Sequence, residues 1–236
     1  MPSVLVVGAT RGLGSALVTY YSSNPHNVSW TVYGTTRSSE PPKDSWATKQ
    51  NVHWLLNVDL EKGPEAAKKL AEQIEVKSGL YDKSSDQAPA TTEGKLNTVI
   101  ITAGYFATEK FGESKWDEEV KMYTLSSVAP VFVIEQLDKH SLLFEGHQDG
   151  QAGSKIILVS SESGSITLRH EQEGGGNFGH HGSKAALNMT GKQLSFDLKD
   201  KGIAVGIVHP RYVETMASSR TFGRILIFAS ALCAQQ

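Results

Sequence analysis

Residues Gly8-Ala9-Thr10-Arg11-Gly12-Leu13-Gly14 constrain this chain more than any other stretch. They follow Ser3-Val4-Leu5-Val6-Val7, an apolar β-branched run that reads as a buried strand, and they lead into Ser15-Ala16-Leu17-Val18, which reads as the start of a helix. Strand, glycine turn and helix together form an anion cradle. The glycines let the backbone come close to a pyrophosphate, and the free N–H groups of the first helical turn face its charge. Thr10, Arg11 and Leu13 fill the positions between the glycines, so the whole stretch is expected to touch a bound dinucleotide.

The remainder of the chain repeats the strand–helix alternation. Strands are predicted at Trp30–Gly34, Val52–Asn57, Thr98–Thr102, Ile156–Ser160 and Val205–Val208. Helices are predicted at Leu13–Tyr21, Pro64–Val76, Glu119–Leu137 and Ser183–Leu198. Ala67, Leu70, Ala71 and Ile74 form one stripe of the second of these. Alternation of this kind predicts an α/β, Rossmann-type doubly wound parallel sheet with right-handed helical crossovers. At 236 residues and 39% hydrophobic content the chain suits a single nucleotide-binding domain, residues 1–236. Three polar segments, Lys77 to Lys95, Glu145 to Ser154 and Arg169 to Gly179, read as loops. The third lies beyond a strand's carboxyl end, where such folds place substrate.

Composition narrows the partners. A net charge of −2 with no basic block gives no reason to expect nucleic acid. The single cysteine, Cys233, permits neither an internal disulfide nor a cysteine-held metal, and no metal is expected. The longest apolar run, Ile225 to Cys233, is far short of the ~20 residues of a membrane span. The chain opens directly into a strand with no leader, so a cytoplasmic enzyme acting on a small molecule is expected.

Several further segments fall in a familiar order. Ile101-Thr102-Ala103-Gly104, Ser160-Ser161-Glu162-Ser163-Gly164, Gly179-His180-His181-Gly182-Ser183-Lys184 and His209-Pro210-Arg211-Tyr212-Val213-Glu214-Thr215 follow the glycine turn. Together these motifs resemble the short-chain dehydrogenase/reductase family, most closely its small ketoreductase branch of C-factor and sniffer-like proteins. The resemblance runs from Val4 to about Thr215; beyond it, residues 216–236 form a shortened or divergent tail. It implies a nicotinamide dinucleotide, a carbonyl or alcohol substrate, and homo-oligomers paired through the two long helices. It also implies that Ser161 holds the substrate oxygen and that Lys184 binds the nicotinamide ribose. Ala103 and Gly104 would line the ribose side, and Pro210, Val213 and Thr215 would meet the nicotinamide.

Departures from the family pattern fall on the chemistry. The position of the family's acid–base tyrosine, four residues before Lys184, is His180, and that of its asparagine is Ser126. Arg211 stands where the family has glycine. An imidazole titrates near ~6.5, already in the useful range, and a lysine beside it would push that value lower. Its tip falls roughly 2 Å short of a phenol oxygen on ordinary bond lengths, so a bridging water or a shifted substrate would be needed. His180 and Ser126 are thus candidate catalytic residues beside Ser161 and Lys184.

After the second strand the chain reads Gly34-Thr35-Thr36-Arg37-Ser38, with no acid until Glu40. A carboxylate here would hold ribose hydroxyls, whereas an arginine suits a 2′-phosphate. Arg37, with Arg11 in reach, favours NADP(H) over NAD(H) through forked, charge-assisted hydrogen bonds. Asn57-Val58 is the expected adenine contact. Two other readings stay open. One is a coenzyme-binding sensor or partner subunit with little turnover; the other is a non-redox enzyme that uses His180 as a base.

Overall fold

A computed structural model describes residues 1–79, 94–146 and 152–210. Six strands, β1 (Ser3–Val7), β2 (Thr31–Thr35), β3 (Val52–Leu55), β4 (Thr98–Ile101), β5 (Lys155–Val159) and β6 (Ala204–Val208), form one sheet in the order β3-β2-β1-β4-β5-β6. Every pairing is parallel. The order reverses between β1 and β4, which opens a crevice at their carboxyl ends. The fold is a Rossmann-type single domain.

The central strand explains its own sequence. All five residues of β1 are buried, because helices cover both faces of the sheet. Its side chains alternate between two cores. Leu5 and Val7 meet Leu70 and Ile74 of α2 (Pro64–Ser78) and Val133, Ile134 and Leu137 of α4 (Ala129–Lys139). Val4 and Val6 meet Leu17 and Val18 of α1 (Gly12–Ser22). The same period-two pattern therefore serves both layers.

Two helices differ from their predicted form. Glu119–Leu137 is not one regular helix. It begins earlier, as α3 (Trp116–Tyr123), widens through a π-helical stretch at Thr124–Val128, and continues as α4. Pro130 in the first turn of α4 has no N–H to give the preceding turn, and the Ser127 hydroxyl bonds back to the Tyr123 carbonyl at 2.9 Å. Helix α5 (Phe178–Asp197) begins five residues before the expected Ser183, so His180 lies in its first turn. Asn177, left-handed at φ 50°, starts it. No helix among the described residues is long and apolar enough to cross a membrane. The predicted tail, 216–236, and the central parts of the first two polar segments lie outside the described residues.

Candidate active site

The glycine turn is built as tightly as its sequence suggests. A Cβ on Gly14 would overlap the Gly8 carbonyl, and one on Gly8, at φ +89°, would sit 2.7 Å from the Ala103 nitrogen. Thr35 accepts a hydrogen bond from the Gly8 N–H at 2.9 Å, and the Thr102 hydroxyl donates to the carbonyls of Val7 and Gly8 at 2.9 and 3.1 Å. The turn is thus braced from β2 and from the end of β4. Arg11 stands at the N-cap of α1, its side chain gives no capping bond, and no acid occupies the first turn. The helix's orphan N–H groups and positive end therefore stay available to an anion. Thr10 and Arg11 are exposed, and Leu13 packs on the α1-side core.

At the adenosine end, Arg37 lies 3.8 Å from Glu61, and the same Glu61 oxygen lies 2.7 Å from Lys121 of α3. The Lys121 ammonium also sits 4.9 Å over the Tyr105 ring. Asn57 is exposed at φ 54°, so its residue type has a local reason, the left-handed turn that ends β3. The Val58 side chain is buried in the α2-side core, and its N–H donates to the Thr36 carbonyl.

At the other end of the crevice, Ser126 Oγ and Lys184 Nζ converge on Gly104. A Cβ on that glycine would lie 3.6 Å from the hydroxyl and 3.9 Å from the ammonium. Lys184 Nζ donates to the Val159 carbonyl at 2.9 Å. Burial pulls its pKa down to about 8. Ser126 Oγ is buried and has no hydrogen-bond partner among the described residues. Ser161 caps the short helical turn Glu162–Gly164, its Oγ accepting from the Ser163 N–H at 3.1 Å. The hydroxyl hydrogen itself stays available to donate.

That segment is laced to α5. The Ser160 hydroxyl donates to Asn188 Oδ1 at 2.6 Å, and Asn188 Nδ2 donates to the Gly164 carbonyl at 3.3 Å. Gly164 lies so close to the Lys184 backbone that a Cβ would come within 2.6 Å of it. His180, Lys184 and Asn188 are spaced i, i+4, i+8 and share one face of α5. The His180 ring meets the Phe106 ring edge-on at 4.8 Å, and its Nδ1 is buried without a partner among the described residues. Burial first, then the charges of Lys184 and His181, push its pKa down to about 4. The ring is therefore neutral at pH 7. His181 turns aside to the Gly176 carbonyl at 3.2 Å and to Arg169 at 3.5 Å.

Pro210 is the last residue described on this side; Arg211, Tyr212, Val213 and Thr215 lie outside the described residues. Sequence reasoning missed Thr35, Thr102 and Asn188, whose hydroxyls and amide position the backbone. It also missed Glu61 and the buried Glu109, which accepts a 2.7 Å bond from the Gly179 N–H. These partners are distant in sequence, so no local spacing announces them.

The profile of the family described as short chain dehydrogenase matches residues 2–223. An uncharacterized oxidoreductase of Schizosaccharomyces pombe is 28% identical over 223 residues, covering 89% of this chain and 73% of the relative. The structure of NADPH-bound carbonyl reductase from chicken fatty liver superposes with a TM-score of 0.71 at 22% identity, covering 95% of this chain and 81% of that one. The carbonyl reductase Sniffer of D. melanogaster gives 0.67 at 24% identity, covering 92% and 83%.

Proposed function

This chain belongs to the short chain dehydrogenase family, an oxidoreductase family, and on that premise we propose that it is an NADP(H)-dependent oxidoreductase that reduces a small carbonyl compound or oxidises the matching alcohol. The observation that carries the reading is the convergence of Lys184 and Ser126 on Gly104, in the same crevice as the braced Gly8–Gly14 turn. The residues fit the coenzyme. The α1 N-terminus would hold the pyrophosphate, Lys184 and Ala103-Gly104 the nicotinamide ribose, and Asn57-Val58 the adenine. Arg37 and Arg11 would hold the 2′-phosphate, with NAD(H) the poorer ligand. Pro210, Val213 and Thr215 would complete the nicotinamide end. When bound, the nicotinamide supplies or accepts a hydride at the carbonyl carbon.

The remaining chemistry belongs to the chain. Ser161 donates its hydroxyl hydrogen to the substrate oxygen and orients it. His180, directly or through one water, passes a proton to that oxygen as the C–H bond forms. A neutral imidazole gives up only one N–H proton and must then be reprotonated. Lys184, one helical turn on, is the charged group able to replenish it. Exposed apolar side chains on α3 and α5, among them Trp116, Val120, Phe178 and Met189, support a homo-oligomeric contact. A cytoplasmic setting accords with the near absence of cysteine.

A second reading has one observation in its favour. With its pKa near 4, His180 offers no imidazolium at neutral pH, as a coenzyme-binding sensor or partner with little turnover would tolerate. The same low value makes it a poor general base for a non-redox reaction. Calorimetric titration with NADPH and NADH, followed by NADPH consumption with a panel of ketones and aldehydes, separates these readings. NADPH should bind more tightly, and Arg37→Ala should narrow the gap by about tenfold. His180→Tyr should change turnover strongly in one direction. Binding without turnover in both proteins favours the sensor, and no uptake of either coenzyme at millimolar concentration ends the reductase reading.

A further inference from the structure

Glu109, in the loop after β4, and Glu119, on α3, form a buried carboxyl pair at the start of α5. Glu109 is only 8% exposed. Its Oε1 accepts the Gly179 N–H at 2.7 Å, its backbone N–H donates to Asn177 Oδ1 at 3.2 Å, and its carbonyl accepts the Asn177 N–H at 3.0 Å. Gly176 and Gly179 leave room for these contacts. A Cβ on Gly176 would come within 2.6 Å of the Glu109 carbonyl, and one on Gly179 within 2.5 Å of Glu119 Oε2. Phe106 of the same loop packs on the His180 ring. The loop therefore holds the first turn of α5 at two points, on either side of the peptide that joins Gly179 to His180.

Glu109 Oε2 and Glu119 Oε1 are both buried with no donor from other described residues. Both carboxyl groups lie against Gly179, Glu109 Oε1 on its N–H and Glu119 Oε2 within 2.5 Å of where its Cβ would stand, which brings them close enough to share a bond. Two carboxylates have no hydrogen to share, so such a bond requires one proton between them. We propose that Glu119 is a positioning residue: it holds that proton against Glu109, and the joined pair pins the first turn of α5 and so fixes where His180 stands. The proposed reductase chemistry is taken over only for what His180 does there. The proton resides on Glu119, whose pKa is raised to about 7 by the bond to Glu109 and by burial, while Glu109 is held below the usual carboxylate range. A groove of about 520 Å³ lined by Phe111, Gly112, Ser114 and Phe178 reaches Glu119 and gives this proton a route to water. Above neutral pH the pair becomes two adjacent anions, and the pin loosens.

The titratable and charged groups around the pair are His180 and His181 of α5, the Arg169–Glu173 ion pair beside His181, Lys110 next to Glu109 in sequence, and Lys115 with Glu118 of α3 at 3.3 Å. The sign of the pH effect follows from linkage. Between the ordinary glutamate value and about pH 7 the fold keeps a proton that the unfolded chain releases, so stability falls as pH rises across that interval. His180 works in the opposite sense below its ordinary value, so the contribution of the pair is read as a difference between proteins.

The experiment compares wild type, Glu119→Gln and Glu119→Ala. Thermal melting from pH 5 to 8 is combined with NMR of the ring nitrogens of His180. Glutamine keeps a hydrogen-bond donor to Glu109 at every pH. Wild type should lose stability relative to Glu119→Gln by up to about tenfold in unfolding constant per pH unit within the interval. The His180 signals should shift above pH 7 in wild type, stay fixed in Glu119→Gln, and be displaced at all pH values in Glu119→Ala. A wild-type pH slope retained in Glu119→Gln, or His180 signals that ignore the pair, would overturn the proposal. If Glu119→Ala does not fold, the glutamine comparison decides alone. NADPH calorimetry on the same samples keeps the two readings apart: failure of wild type to bind it removes the coenzyme assignment and leaves the pH result standing.

Discussion

The two ends of the sheet differ in how completely their buried polar groups are paired. At the amino ends of the strands the Ser3 hydroxyl donates to the Lys95 carbonyl at 2.6 Å, and the Asn97 N–H donates back to it at 3.3 Å. Ser154, fully buried, donates to the Leu96 carbonyl at 2.6 Å and accepts the Phe144 N–H at 2.7 Å. At the carboxyl ends five buried atoms, Ser126 Oγ, Glu109 Oε2, Glu119 Oε1, His180 Nδ1 and His209 Nδ1, have no hydrogen-bond partner among the described residues. Buried polar groups are nearly always paired where only stability is at stake. The contrast separates a base that closes the fold from a rim that holds polar groups ready for something else.

The largest expected effect sharpens the comparison at the rim. Gly14→Ala drives a methyl group into the Gly8 carbonyl, which is backbone and cannot swing away, so it should cost about 3 kcal/mol and abolish coenzyme uptake. Denaturant melts and calorimetry check both.

Next comes a pair of equal deletions at opposite ends. Ser154→Ala strands a buried carbonyl and a half-buried N–H and should cost about 1–3 kcal/mol with no change in coenzyme affinity. Ser126→Ala removes a hydroxyl that bonds to nothing among the described residues, and stability should stay within about 0.5 kcal/mol of wild type. Equal losses from both would break the contrast.

The smallest effect concerns Lys184. Its lowered pKa means that the unfolded chain holds the proton more tightly between about pH 8 and the ordinary lysine value. Stability should therefore rise with pH across that interval and be lost as pH falls back through it. Lys184→Met should flatten this rise, read as a loss of the pH dependence of the melting temperature across the interval.

The base and the first strand are the parts a reader of the sequence could see. Ser3–Val7 is uninterrupted because both its faces are covered, Gly8 and Gly14 stand where side chains cannot, and Gly12 takes a positive φ of 55°. Motif order singled out Lys184 and Ser161 as candidates, and the structure sets Lys184 beside Gly104 and Ser161 at the cap of the turn after β5. What stayed hidden is non-local or ambiguous. Glycines at positions 174–176, 179 and 182 look like breakers, so the early start of α5 is invisible until Glu109, 70 residues upstream, is seen to take the Gly179 N–H. The wide turn at Thr124–Val128 had one local sign, Pro130, which permits a register slip without demanding it.

Glu61 carries a consequence of its own. A single oxygen of its carboxylate serves both Arg37 and Lys121, so the loop after β2 and helix α3 share one tether. A nucleotide that drew Arg37 onto its phosphate would leave that tether wholly to Lys121. Filling one end of the crevice would thereby alter the ion pair held by the helix that runs on into Ser126 at the other.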